Sequence, residues 1–278
     1  MIEAFAPAKI NLTLHVTGQR NDGYHMLDSL VVFVDVGDRL QFQAADQLSL
    51  VIDGPKALGI PVDASNLVLR AARLVDPSKG AKITLTKNLP AAAGIGGGSS
   101  DASATIQALC QLWDAPIPNK PELLGADVPV CLRARATRMH GIGELLTDVP
   151  TLPEAWLVLV NPGVSVSTPE VFQKLAQKDN LPMDSDISEF KTVTDLAAWL
   201  QETRNDLQPA AIELEPVIGD VLRFLDNQIG CLTARMSGSG ATCWGLFGDE
   251  SAAQRAAEQI ITAHPDWWTV STKIKSFS

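Results

Sequence analysis

Strand-like and helix-like hydrophobic periods are interleaved along this chain, and the class they predict is α/β (α+β). Two segments carry that prediction. Lys82 to Leu89 sets apolar Ile83, Leu85 and Leu89 against Lys82, Thr84, Thr86 and Lys87, the period-two pattern of a strand. Just downstream, Ala102, Ile106, Leu109 and Trp113 recur at helical spacing. A third observation concerns size: with 278 residues and 46% hydrophobic content, one large domain or two ordinary ones can bury a core. The proline-flanked break Pro150-Thr151-Leu152-Pro153 favours two, 1–153 and 154–278.

Between that strand and helix lies Pro90-Ala91-Ala92-Ala93-Gly94-Ile95-Gly96-Gly97-Gly98-Ser99-Ser100, followed by Asp101. Glycines let the backbone turn sharply and aim its N–H groups at one anion, and Ser99 or Ser100 is a natural N-cap for the helix that follows. The loop then sits at the positive end of a helix dipole, which makes it a phosphate cradle. It is not a P-loop, because no lysine follows these glycines. Nor is it a dinucleotide fingerprint, because Ser99 and Asp101 stand where the third glycine belongs. A flexible linker is rarely bracketed so tightly by an amphipathic strand and helix.

The N-terminal run Pro7-Ala8-Lys9-Ile10-Asn11-Leu12-Thr13-Leu14-His15-Val16 alternates as a strand, so Lys9 and Asn11 share a face. Thr17 to Gly23 is a polar turn that leads into Tyr24-His25, an aromatic pair able to stack on a base and read its edge. Strands follow at Leu30–Val36, Arg39–Phe42 and Leu48–Ile52, the first two separated by Gly37-Asp38. Asn66 to Val75 reads as a helix closed by Asp76-Pro77. Beyond the glycine loop, Asp127 in Gly125-Ala126-Asp127-Val128-Pro129 is placed to cap a helix start. Arg133, Arg135 and Arg138 read as a solvated strand face, and His140 as structural.

Trp156 to Val160 opens the second half as a buried strand, and the chain then runs through Ser165 and Pro169 into a helix that carries Phe172. Asp179 to Thr194 is polar and reads as a mobile loop; Arg204-Asn205-Asp206-Leu207-Gln208-Pro209 leads into a helix. A second glycine turn, Ser237-Gly238-Ser239-Gly240, feeds an apolar strand, and helix Ser251–Ala263 and strand Trp267–Ile274 finish the chain.

The formal charge of −10 argues against a nucleic-acid or anionic-membrane binder, since phosphate backbones need a basic footprint. No run is long and apolar enough to span a membrane, and Met1 to Pro7 carries no targeting pattern. Cys110, Cys131, Cys231 and Cys243 form no C-x-x-C pair, so the expectation is reduced thiols in a cytoplasm.

Pro90 to Ser100 resembles the phosphate loop of the GHMP kinases, P-x3-G-[LI]-G-[GS]-[GS]-S-S. Two further signatures of that family stand in order: Pro7-Ala8-Lys9-Ile10-Asn11-Leu12 before the loop and the Ser237–Gly240 turn after it. The run Arg20-Asn21-Asp22-Gly23-Tyr24-His25 is similar to the cytidyl-reading branch. The resemblance implies an N-terminal domain like ribosomal protein S5 domain 2 and a ferredoxin-like C-terminal domain. It also implies ATP-dependent, Mg2+-assisted phosphorylation of the 2-hydroxyl of 4-diphosphocytidyl-2-C-methyl-D-erythritol, in the non-mevalonate route to isoprenoids. Asp127 would then be the base and Lys9 its partner; Pro90 to Ser100 would bind ATP, supported by Ser237, Gly238, Ser239 and Gly240. Asn11, Tyr24, His25 and Phe172 would bind the acceptor, the last three around its cytosine. Another GHMP kinase, of the homoserine or mevalonate type, and a non-catalytic nucleotide-binding module are the alternatives. The chain departs from the family pattern at Asp76-Pro77, where a helix stops early, and at Asp114 to Leu124, where three prolines leave only a helical stub. Oligomeric state and the ligands of any metal are not legible.

Overall fold

The structure, a computed structural model, describes residues 1–184 and 186–275. Its elements in chain order begin with strands β1 (Ile2–Asn11), β2 (His15–Gln19), β3 (His25–Ala45) and β4 (Ser49–Asp53). Helix α1 (Leu67–Val75), strand β5 (Gly80–Thr86), helix α2 (Gly97–Trp113), a 3-10 turn at Pro121–Leu123 and helix α3 (Val128–Arg133) follow. Then come β6 (Thr137–Gly141), β7 (Leu145–Asp148), β8 (Trp156–Asn161), α4 (Thr168–Gln173), α5 (Val193–Gln201), α6 (Gln208–Leu214) and α7 (Val217–Asp226). Strands β9 (Cys231–Met236) and β10 (Cys243–Phe247), helix α8 (Glu250–Ala263) and strand β11 (Trp268–Lys273) complete the chain.

Two compact units form, each assembled from separate stretches. The first holds Met1–Lys9, Val36–Ala91 and Gly96–Ala134; the second holds Ile10–Asp35, Ala92–Ile95 and the chain from Arg135 on. In the first, β5 pairs antiparallel with the later part of β3 (Arg39↔Thr86 to Ala45↔Gly80) and parallel with β4. The apolar faces of α1 and α2 cover this sheet, with Val68, Ala72, Ala104, Ala108 and Leu109 packed against Phe42, Ile83 and Leu85. Asn66 starts α1 by accepting a hydrogen bond from the Val68 N–H, and Asp76-Pro77 ends it, as its sequence predicts.

In the second unit, the early part of β3 pairs with β2 and with β6, which pairs in turn with β7. A separate antiparallel sheet runs β11-β8-β10-β9. With α7 ahead of β9 and α8 between β10 and β11, that order is the ferredoxin-like arrangement. Val158, Val160, Ile218, Val221, Leu225, Phe247, Ala253 and Ile260 form its core.

Three sequence expectations are corrected. Gly37-Asp38 does not separate two strands, for β3 runs straight through it. The glycine there serves close packing instead: a Cβ at Gly37 would stand 2.2 Å from the Ala6 carbonyl oxygen. Asp179 to Thr194 is not a loop throughout: it is tied down at Met183 and runs into α5 from Val193, with Ser185 outside the described residues. The Met183 N–H donates to Asp28 Oδ2 at 2.8 Å, and Thr192 begins α5 with a reciprocal capping box to Asp195. Arg138 is no solvated residue: it is buried and makes a two-pronged ion pair with Asp28, Nε to Oδ1 and Nη2 to Oδ2 both at 2.8 Å.

Candidate active site

In the first unit the catalytic candidates come together. Lys9 lies near the end of β1 with only 4% of its side chain exposed, and its Nζ stands 2.9 Å from Asp127 Oδ2. Asp127 occupies the residue before α3, where Pro129 favours the helix start, but its side chain makes no capping bond. Its carboxylate faces Lys9 instead and is 32% exposed, so one side is neutralised while the other meets solvent. An aspartate fixed by a helix start and one buried ammonium, yet open to a reactant, is what a base requires.

The phosphate loop reaches this pair at Gly96. That residue is the cap of α2, in the left-handed region at φ 63°, and it carries no side-chain capping bond. Ser99 and Ser100, expected as caps, lie inside the helix; Ser100 Oγ donates to the Pro7 carbonyl at 2.7 Å. A Cβ at Gly96 would sit 3.1 Å from Lys9 Cβ and Cε, and 3.8 Å from Asp127 Oδ2. Glycine is therefore demanded twice, by backbone angle and by space. The first intrahelical bond is Ser100 N–H to the Gly96 carbonyl, so the N–H groups of Gly97, Gly98 and Ser99 have no acceptor within the helix. Such a first turn is an anion site.

In the second unit, the glycine turn packs directly on Gly94. Ser237 Oγ donates to the Gly94 carbonyl at 2.9 Å, and the Thr242 N–H donates to the Ala93 carbonyl. A Cβ at Gly94 would stand 2.3 Å from the Ser237 carbonyl oxygen, so neither strand of this contact tolerates a side chain there. Asn205 holds the turn, its Nδ2 donating to the carbonyls of Met236 and Gly238 at 2.8 and 2.9 Å. Sequence reading placed Asn205 only ahead of a helix; an amide in a loop gives no local sign that its partners lie some thirty residues away. Asn11 is tied down by its N–H to Ser237 Oγ, by its Nδ2 to Ser29 Oγ, and by its carbonyl, which accepts from Trp244 Nε1.

Also in the second unit, His25 and Phe172 stack with ring centroids 4.5 Å apart and planes within 18°. Phe172 thus lies against the histidine ring, while the neighbouring Tyr24 is 61% exposed. His25 Nε2 is buried and makes no hydrogen bond. Burial, and then the positive charge of Lys178, hold the His25 pKa below its ordinary value, so the ring is neutral near pH 7. A neutral imidazole with an unsatisfied ring nitrogen is equipped to bond a polar ligand edge.

Comparison with known proteins is consistent with this geometry. Residues 66–135 match the GHMP kinases N terminal domain, and residues 185–266 match GHMP kinases C terminal. A 4-diphosphocytidyl-2-C-methyl-D-erythritol kinase of Cereibacter sphaeroides is 59% identical over 277 residues, covering 99% of each chain. A crystal structure of 4-(cytidine 5'-diphospho)-2C-methyl-D-erythritol kinase superposes with a TM-score of 0.79 at 33% identity, over 99% of this chain and 100% of the other. A homoserine kinase from Cytophaga hutchinsonii, at 19% identity and a TM-score of 0.69 over 99% of this chain and 94% of its own, shares the fold. The chain belongs to the GHMP kinases, and within them to the 4-diphosphocytidyl-2-C-methyl-D-erythritol kinase family.

Proposed function

We propose that this kinase transfers the γ-phosphoryl group of ATP to the 2-hydroxyl of 4-diphosphocytidyl-2-C-methyl-D-erythritol, giving the 2-phosphate. The observation that carries the proposal is the Lys9–Asp127 pair held against Gly96 of the phosphate loop. Phosphoryl transfer needs little covalent help, and catalysis is chiefly positioning and charge stabilisation. The N–H groups of the α2 first turn bind the phosphates of ATP, with Pro90 to Ser100 as the ATP loop. Asp127 Oδ accepts the proton of the attacking hydroxyl, and Lys9 balances charge first on the carboxylate and then at the transferring oxygens.

Asn11, Tyr24, His25 and Phe172 bind the acceptor. Support for a cytosine ligand comes from the unpartnered His25 Nε2 in a ring already stacked on Phe172, beside an exposed tyrosine. When bound, Mg2+ supplies shared neutralisation of the phosphate charge. Among the described residues no cluster of three or more acidic, histidine or cysteine side chains could hold a metal. That is compatible with an ion carried mainly by nucleotide phosphates and water. The boundary at Pro153 stands as a proposal supported by the new sheet that opens with β8. A cytoplasmic setting is likewise proposed, consistent with four free cysteines.

The test is 31P NMR of the purified protein with Mg-ATP and the cytidyl acceptor, alongside Asp127→Asn. A new phosphomonoester resonance that disappears in the variant is the expected result. ATP binding without a phosphomonoester overturns the acceptor assignment and turns attention to other hydroxyl acceptors or to a non-catalytic binding module.

A further inference from the structure

Away from the Lys9–Asp127 pair, the first unit buries a second lysine among carboxylates. Lys87 follows the end of β5, Asp38 lies in β3 and Asp101 in the first turns of α2, and all three are at most 4% exposed. Lys87 Nζ donates to Asp38 Oδ2 and, at 2.8 Å, to Asp101 Oδ2. Asp38 uses its other oxygen to accept the N–H groups of Asn88 and Leu89 at 2.6 and 2.9 Å. Those two residues are the last before Pro90. On the far side of the loop, Lys87 Nζ stands 3.3 Å from where a Cβ on Gly97 would lie, under the turn whose N–H groups are free to meet phosphate.

From this geometry we infer that the Lys87 ammonium staples the two ends of the phosphate loop, which makes Lys87, Asp38 and Asp101 positioning residues for ATP. The inference rests on the ATP reading above. Asp38 fixes where the chain leaves β5, and Asp101 fixes where it becomes α2, both through one buried cation. Residues Pro90 to Gly96 carry glycines at Gly94 and Gly96 and would otherwise lose conformational freedom on binding a nucleotide. With both ends pinned, that ordering is already present before ATP arrives, and the first-turn N–H groups stand ready. None of the three side chains needs to touch the nucleotide for this effect. Asp101 Oδ1 makes no hydrogen bond while Oδ2 accepts from Lys87, so removing the carboxylate cuts the exit end of the staple and leaves the Lys87 bond to Asp38 in place.

The experiment is steady-state kinetics of wild type, Asp101→Ala and Asp101→Asn, with ATP and the acceptor varied separately. In Asp101→Ala the KM for ATP should rise by about tenfold or more, the loss of a charge-assisted hydrogen bond. Its acceptor KM and its kcat at saturating ATP should stay within about threefold of wild type. Asp101→Asn, whose amide oxygen still accepts from Lys87, should restore the ATP KM. An unchanged ATP KM in Asp101→Ala, or a parallel rise in acceptor KM, overturns the inference. Should Asp101→Ala fail to fold by circular dichroism, Asp101→Ser takes its place, with amide exchange at Gly97, Gly98 and Ser99 as the added readout. Faster exchange there with β8 unchanged supports the staple, and equal rates overturn it. Failure of wild type to turn over with ATP strikes at the function proposed above, a result distinct from either of these.

Discussion

Two lysine–aspartate clusters in the first unit use the same residue types to opposite ends. At Lys9–Asp127 the cation is buried but the carboxylate is one-third exposed. At Lys87, two carboxylates enclose the ammonium, and nothing in the trio reaches solvent. The first arrangement can exchange a proton with a reactant. The second can only hold. Burial desolvates Lys87, but the charges of Asp101 and Asp38 outweigh that and raise its pKa, so the cation is secure. The open side of the carboxylate, rather than the presence of a lysine–aspartate pair, separates chemistry from architecture here.

The sharpest way to break this comparison is to neutralise one aspartate in each cluster. Asp127→Asn should lower kcat by about a hundred- to ten-thousandfold, with both KM values nearly unchanged and thermal stability close to wild type. Comparable losses in kcat and KM would count against a base role. Lys87→Met should act on stability instead. It strands two buried carboxylates, which costs about 3–5 kcal/mol and lowers Tm by roughly 10 °C in differential scanning calorimetry. Lys9→Met, whose partner can still be solvated, should lose kcat with a much smaller change in Tm.

How much of this was legible beforehand follows the same division. Lys9, Asp127 and the glycine loop sit in compact local patterns, and strand and helix periods around them place α1, β8, α8 and β11 with good boundaries, whereas both ends of β5 and the start of α2 are displaced by a few residues. The ferredoxin-like order of the second sheet followed from resemblance, and the strands agree with it. What stayed hidden depends on distant partners. Asp38 looked like turn punctuation because Gly37-Asp38 is a turn dipeptide, whereas Gly37 is there to let β1 approach. Arg138 looked solvated because its near-alternate spacing with Arg133 and Arg135 is that of an exposed face; its mate Asp28 lies 110 positions away. Serine is the expected cap for α2 by residue preference, yet the crowding of Lys9 on the loop selects glycine at that position. Periodicity reports burial along one segment; it carries no record of which buried charges meet.

A smaller effect separates recognition from chemistry in the second unit. His25→Phe keeps a ring to stack on Phe172 but loses Nε2, so the acceptor KM should rise about tenfold while kcat and the ATP KM hold. The pH dependence has a definite sign. Because the folded pKa of His25 lies below 6.5, the imidazole is neutral above that value, and acceptor binding should be flat there. Binding should weaken as pH falls through the lowered pKa, when the ring becomes a cation beside Lys178. A profile in His25→Phe that matches wild type would remove His25 from base recognition.

Within the buried trio, Asp101 is the group that titrates near neutral pH. Burial, opposed by Lys87 and reinforced by Asp38, pushes its pKa up to about 7. A carboxyl whose folded pKa exceeds its unfolded value stabilises the fold at low pH and loses that contribution as pH rises through the folded value. Wild type should therefore lose stability relative to Asp101→Asn between pH about 4 and about 7, measured as the difference in their Tm values across buffers. The asparagine variant has no proton to release and keeps the bond to Lys87, so its curve isolates that one titration. A Tm difference that is constant across this range would mean that Asp101 is ionised throughout. The trio would then carry a full net negative charge beneath a phosphate-binding turn, and the ATP loop would have to bind its anion against that charge.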